Sequence, residues 1–139
     1  TLTPSSAASD VYKRQVYESS ELVAKQYGLN MKELVSSKIS LVHGEVFKFG
    51  GSDFTIIHTP GHSPGSVCFR NDKEGYIISG DVLFQGSIGR TDLPGGDYNT
   101  LIRSITEQIL NLDGDIVVYS GHGLITTVGE EKISNPFLQ

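Results

Sequence analysis

The chain has 139 residues, enough for at most one domain, and its 37% hydrophobic and 19% charged residues are those of an ordinary globular protein. A net charge of −5 and a pI near 5.2 argue against nucleic acid or an anionic membrane as a partner; no apolar run approaches the roughly 20 residues that span a bilayer. One cysteine cannot form an internal disulfide, which leaves a cytoplasmic location as the default.

Residues 1–15 (TLTPSSAASDVYKRQ) are polar and aperiodic, and read as a non-native or disordered leader without chemistry. The first residue is Thr1, and the single methionine is Met31, so a truncated start is expected, with a partial domain over 16–139. Ser19 or Ser20 can cap a short helix carrying Leu22, Val23 and Tyr27 and stopped by Gly28. A second helix is expected over 31–37. Residues 46–49 and 54–58 read as a β-hairpin around Gly50-Gly51-Ser52-Asp53, and 66–70 with 76–79 as another pair. Leu101, Ile105, Ile109 and Leu110 recur at helical spacing, which predicts a helix over 98–112. Residues 115–119 read as a buried strand. Thr127 with Glu130 three positions on forms a capping box for a last helix that runs to about Asn135. Strands followed by helices predict an α/β layer arrangement.

Three of these segments share one pattern. An apolar run ends in glycine and is followed at once by a metal-grade ligand: 54–61 delivers His62, 76–80 delivers Asp81, and 116–121 delivers His122. Each reads as a strand closing in a tight turn. Side by side, such strands bring the three ligands to one sheet edge. Two imidazoles around a carboxylate suit zinc or a similar borderline metal.

The residues around these ligands carry a resemblance. Thr59-Pro60-Gly61-His62-Ser63-Pro64-Gly65-Ser66, Ser79-Gly80-Asp81 and Ser120-Gly121-His122-Gly123 resemble the later motifs of the metallo-β-lactamase superfamily. The loop 86–92 (GSIGRTD) and the ending 129–137 (GEEKISNPF) look like its glyoxalase II-like (hydroxyacylglutathione hydrolase-like) branch rather than its β-lactamases. The resemblance runs from about Glu45 to the C-terminus and implies the family's αββα sandwich, here incomplete. It implies metal roles for His62 at one ion, His122 at a second, and a bridging, catalytic role for Asp81. It also implies two zinc ions per complete site, with iron or manganese as alternatives. The expected reaction is hydrolysis of a small-molecule thioester by a hydroxide held between the ions. Arg90 matches a basic loop position that contacts the substrate's glutathione moiety, and an Arg can grip a carboxylate bidentately.

The departures matter equally. The family opens its site with His-x-His-x-Asp-His, and the four histidines here, His43, His58, His62 and His122, contain no such run. His62 with Asp81, and Asp81 with His122, give each ion two donors where a catalytic zinc takes three. The chain alone is therefore expected to be inactive. Its uncovered sheet, with Ile56, Ile77 and Val117 near open surface, is expected to favour association. The aromatic contact expected two residues after Arg90 falls on Asp92, and the Tyr expected two after the last histidine falls on Leu124, which weakens the case for glutathione as carrier. The other readings are a mono-iron persulfide dioxygenase-like enzyme and a non-catalytic remnant or incomplete gene product. His58 reads as a strand-end residue supporting the site, His43 as a solvated turn, and Cys68 as a buried small hydrophobe.

Overall fold

The computed structural model describes Lys25, Gln26, Gly28 and residues 41–139. The chain divides into two units, Thr1–Leu41 and Val42–Gln139. In the first, Lys25 and Gln26 are helical and Gly28 turns at a φ of 68° while donating its N–H to the Lys25 carbonyl, as a stop glycine does. The helix expected over 31–37 lies outside the described residues.

The second unit is built on a six-stranded sheet in the order β1-β2-β3-β4-β7-β8. Strand β1 is Val46–Phe49, β2 Ser52–His58, β3 Val67–Asn71, β4 Tyr76–Gly80, β7 Val117–Ser120 and β8 Thr126–Thr127. The first hairpin closes more tightly than expected. Phe49 pairs with Ser52, and Gly50 and Gly51 form the whole turn at φ of 58° and 81°, both left-handed. Such a primed turn suits the twist of a two-residue hairpin and needs residues that tolerate positive φ.

Strands β1 to β4 are antiparallel neighbours, and β4 then pairs with β7 in parallel. The connection between them carries a short hairpin, β5 (Leu83–Phe84) with β6 (Ser87–Ile88), and then helix α1 (Tyr98–Ser104). Asp97 caps α1, accepting from the Thr100 N–H at 2.7 Å. The predicted helix starts at Tyr98 but ends at Ile109 rather than at 112, and residues Ile105–Ile109 widen into a π-helical turn, with the Leu110 N–H on the Ile105 carbonyl. The reason lies in the spacing. Leu101, Ile105 and Ile109 are four apart, so the wider turn keeps all three on one face, and all three are fully buried.

The two faces of the sheet differ. Ile57, Cys68, Ile77 and Val118 point to one side and form the core with Val82, Leu83, Leu101, Ile105, Ile109 and Val128. The other side carries Phe47, Phe54, Ile56, Phe69, Tyr76, Ile78, Val117 and Tyr119, as the pairings Phe47↔Phe54, Ile56↔Phe69↔Ile78↔Tyr119 and Tyr76↔Val117 show. Phe49 at 71%, Tyr119 at 43% and Ile78 at 40% exposure mark that face as open. Of the three residues expected near open surface, Ile77 faces the core instead; Ile56 and Val117 do lie on the open face, Ile56 buried among its neighbours and Val117 half-buried. In a run such as Tyr76-Ile77-Ile78 both faces are apolar, so composition does not say which one meets the helices. Strand β7 is likewise buried on one side only.

The last helix, α2 (Val128–Ser134), begins where predicted. Thr127 accepts from the Glu130 N–H at 3.2 Å. No described helix is long and apolar enough to cross a membrane.

Candidate metal centre

Strand direction places the three candidate ligands. Strand β3 is antiparallel to both β2 and β4, so β2 and β4 run the same way, and β7 is parallel to β4. The C-terminal ends of β2, β4 and β7 therefore share one sheet edge. His62 follows β2 through Thr59-Pro60-Gly61, Asp81 follows β4 directly, and His122 follows β7 through Gly121. Strand β3 separates β2 from β4, so only two of the three ligand strands are adjacent. His62, Asp81 and His122 nevertheless line one cleft of about 300 Å³, together with Phe84, Ser87, Ile88, Gly89 and Arg90.

Glycines make this edge possible. A Cβ on Gly61, whose φ is 136°, would lie 2.3 Å from the Leu101 backbone, so α1 presses directly on the His62 turn. Two more bonds fix that contact: the Asp97 N–H on the Gly61 carbonyl and the Ser104 hydroxyl on the Pro60 carbonyl at 2.7 Å. A Cβ on Gly89 would stand 1.9 Å from the Asp81 carbonyl oxygen, and one on Gly121 would stand 2.6 Å from Asp81 Oδ1.

Hydrogen bonds fix the rings. His62 Nδ1 lies 2.8 Å from the Arg90 carbonyl, which can only accept, so Nδ1 carries the proton and Nε2 is left to ligate. His62 Nε2 stands 3.8 Å from Asp81 Oδ2. That is wider than a hydrogen bond and close to the ~3.4 Å separating two tetrahedral donors each about 2.1 Å from one ion. His122 Nδ1 is 2.9 Å from Asp81 Oδ1, a direct hydrogen bond, and its ring is three-quarters exposed. Phe84 meets the His122 ring edge-on, centroids 5.8 Å apart.

The donor set thus fits a borderline divalent metal in chemistry, and the His62–Asp81 pair fits it in spacing. A third donor per ion is lacking: among the described residues no group of three or more His, Cys, Asp and Glu side chains is placed to hold an ion. His122, bonded directly to Asp81, adds none to the His62–Asp81 pair.

Arg90 reaches the cleft, but its guanidinium is already engaged. Both Asp92 oxygens take it, Oδ1 from Nε at 2.7 Å and Oδ2 from a terminal nitrogen at 2.8 Å. The Arg90 hydrogen bonds hold the Asp92 carboxyl down at about 2. His58 ends β2 as expected, and its Nε2–H donates to the Pro64 carbonyl at 2.9 Å within the His62 turn. His43 sits in an exposed turn and accepts the His58 N–H on Nδ1. Cys68 is buried, and burial pushes its thiol up to about 11, unsuited to nucleophilic work. Phe84 and Ser87 were not singled out from the sequence, and Asp92 was noted only as a departure from the family's aromatic contact, not as the partner of Arg90. A two-residue strand leaves no periodic signal, and an Arg-x-Asp triplet becomes meaningful only once the loop is folded.

The sequence model of the metallo-beta-lactamase superfamily matches residues 12–122. A hydroxyacylglutathione hydrolase, GloC of Haemophilus influenzae, is 46% identical over 124 residues, covering 88% of this chain and 58% of its own length. Among solved structures, TTHA1623 in a di-iron-bound form superimposes with a TM-score of 0.77 at 39% identity, covering 91% of this chain and 62% of its own. BLEG-1, a B3 metallo-beta-lactamase, gives 0.74 at 45% identity, covering 83% and 55%. The chain spans little more than half the length of such relatives. With a family model matching residues 12–122, most of its length, the chain belongs to the metallo-beta-lactamase superfamily.

Proposed function

We propose that the protein is a metal-dependent hydrolase of acyl thioesters, with His62, Asp81 and His122 as metal donors and Arg90 as a substrate contact. The observation that carries this reading is the meeting of the three donors in one cleft, with His62 held in the tautomer that leaves Nε2 free. The likeness to GloC supports the thioester as substrate class. A bound divalent ion, zinc or iron, would supply a Lewis acid and an acidified water. The chain's own residues do the rest. The Arg90 carbonyl orients His62, the Asp81 carboxylate offers an oxygen towards each imidazole, and Phe84 gives the cleft an apolar wall beside His122. The Arg90 guanidinium would receive an anionic group of the substrate by exchanging its bond to Asp92.

A second reading, β-lactam hydrolysis, is favoured by the likeness to BLEG-1. Parallel assays of the complete gene product, zinc-loaded and iron-loaded, separate the two. Cleavage of a lactoylglutathione-type thioester, lost in His62→Ala and slower on a cephalosporin, supports the thioesterase. Faster cephalosporin turnover supports the β-lactamase, and oxygen uptake with a persulfide on iron would displace both.

A further inference from the structure

The sequence ending 129–137 contributes no side chain to the cleft, yet Glu131 and Asn135 within it are fully buried. They stand four apart, Glu131 within α2 and Asn135 as its C-cap, and the Asn135 amide donates to Glu131 Oε2 at 2.8 Å. The same Oε2 accepts the Gly86 N–H at 2.9 Å, and Oε1 accepts the Thr126 hydroxyl at 2.6 Å. Asn135 Nδ2 also reaches the Ser87 carbonyl at 3.1 Å. A buried carboxylate is costly unless its oxygens are satisfied, and here the donors come from three different segments.

Two of those donors and acceptors, Gly86 and Ser87, belong to the β5–β6 hairpin. With two residues per strand and Gln85-Gly86 as its turn, that hairpin is too short to hold its own place. It also leads to both imidazoles. Phe84, at the end of β5, packs against the His122 ring. Beyond β6, Gly89 touches the Asp81 main chain, and Arg90 supplies the carbonyl that holds the His62 Nδ1–H.

We propose that Glu131 and Asn135 are positioning residues for His62 and His122, acting through the β5–β6 hairpin; that these imidazoles serve a metal rests on the hydrolase reading above. The buried carboxylate fixes the turn, the turn fixes Phe84 and the Arg90 carbonyl, and those two fix the rings. What Glu131 supplies is acceptor geometry rather than charge. Glu131→Gln keeps one oxygen for Gly86 and Asn135 and turns an amide N–H towards the Thr126 hydroxyl, which can accept it. Glu131→Leu fills a similar volume and accepts nothing.

The test uses 15N-histidine spectra of the 139-residue chain, which report tautomer and ring environment with neither metal nor substrate present. Failure here is therefore distinguishable from failure of the hydrolase reading. In Glu131→Leu, the His62 Nδ1–H signal is expected to be lost and the His122 signals to shift, while His43 and His58 keep theirs. Glu131→Gln should restore the native spectrum. Asn135→Ala, which cuts the Ser87 tie but leaves Glu131 bonded to Gly86 and Thr126, should give a smaller change at the same two residues. Unchanged His62 and His122 signals in Glu131→Leu would overturn the inference. So would all four histidines changing together in both Glu131→Leu and Asn135→Ala, because that is loss of fold rather than of position.

Discussion

The His62 imidazole donates its Nδ1–H to the main-chain carbonyl of Arg90, 28 positions away, across 2.8 Å. Gly89 lies between the loop that presents this carbonyl and the Asp81 backbone, and Gly61 lies between the His62 turn and α1. Metal-ligating histidines depend on such outer contacts for tautomer and aim.

Gly89→Ala and Gly61→Ala should therefore disturb the site as well as the fold. Each added Cβ meets backbone rather than a flexible side chain, so the cost should be about 1–3 kcal/mol or more, the range of overpacking. Thermal unfolding should show a Tm lower by several degrees. A Tm unchanged in both variants would mean that the loop and α1 do not pack on the ligand turns as described.

The Arg90–Asp92 pair makes a kinetic prediction and a pH prediction. In the complete gene product, Arg90→Ala should raise KM for an anionic thioester roughly tenfold, with kcat changed less. Asp92→Asn, which removes the competing carboxylate, should lower KM several-fold. Identical KM values in both variants would remove Arg90 from substrate binding. Because the folded Asp92 titrates below its unfolded value, the pair's contribution is complete above about pH 4 and disappears only as pH falls through about 2. Arg90 Nε–H signals should thus hold constant from pH 8 to 4, and movement near neutrality would contradict the pairing.

Much of the fold was legible in the chain, and the limits have physical causes. Runs of β-branched and aromatic residues ending in glycine marked β2, β4 and β7, and strand direction then made their ligands converge. Thr127 marked the start of α2 because a hydroxyl cap is a local event. The side of each strand was not legible where neighbours such as Ile77 and Ile78 are both apolar. The π turn at 105–109 was hidden because a four-residue spacing also suits an α-helix at short range. The meeting of His62, Asp81 and His122 in one cleft was readable from position alone. The Asp92 hold on Arg90 and the burial of Glu131 were not, since both depend on which distant segments fold against them.

The open aromatic face should drive self-association of the 139-residue chain. Phe47, Phe49, Phe54, Phe69 and Ile78 line an apolar groove on it, and contiguous exposed apolar surface favours association. Size-exclusion chromatography across concentrations should show a shift to dimer or larger. Phe49→Lys with Ile78→Lys, at two exposed positions, should return the chain to monomer. A monomer at all concentrations would mean that this face is covered in solution.

The central claim is that His62, Asp81 and His122 are the metal donors of the chain. Zinc titration followed on imidazole 15N resonances tests it most directly. The Nε2 signals of His62 and His122 should move on adding zinc while His43 and His58 stay, and Asp81→Ala should weaken the response at both rings at once. Zinc shifts at His43 or His58 alone, or a response at His62 and His122 that survives Asp81→Ala undiminished, would contradict it.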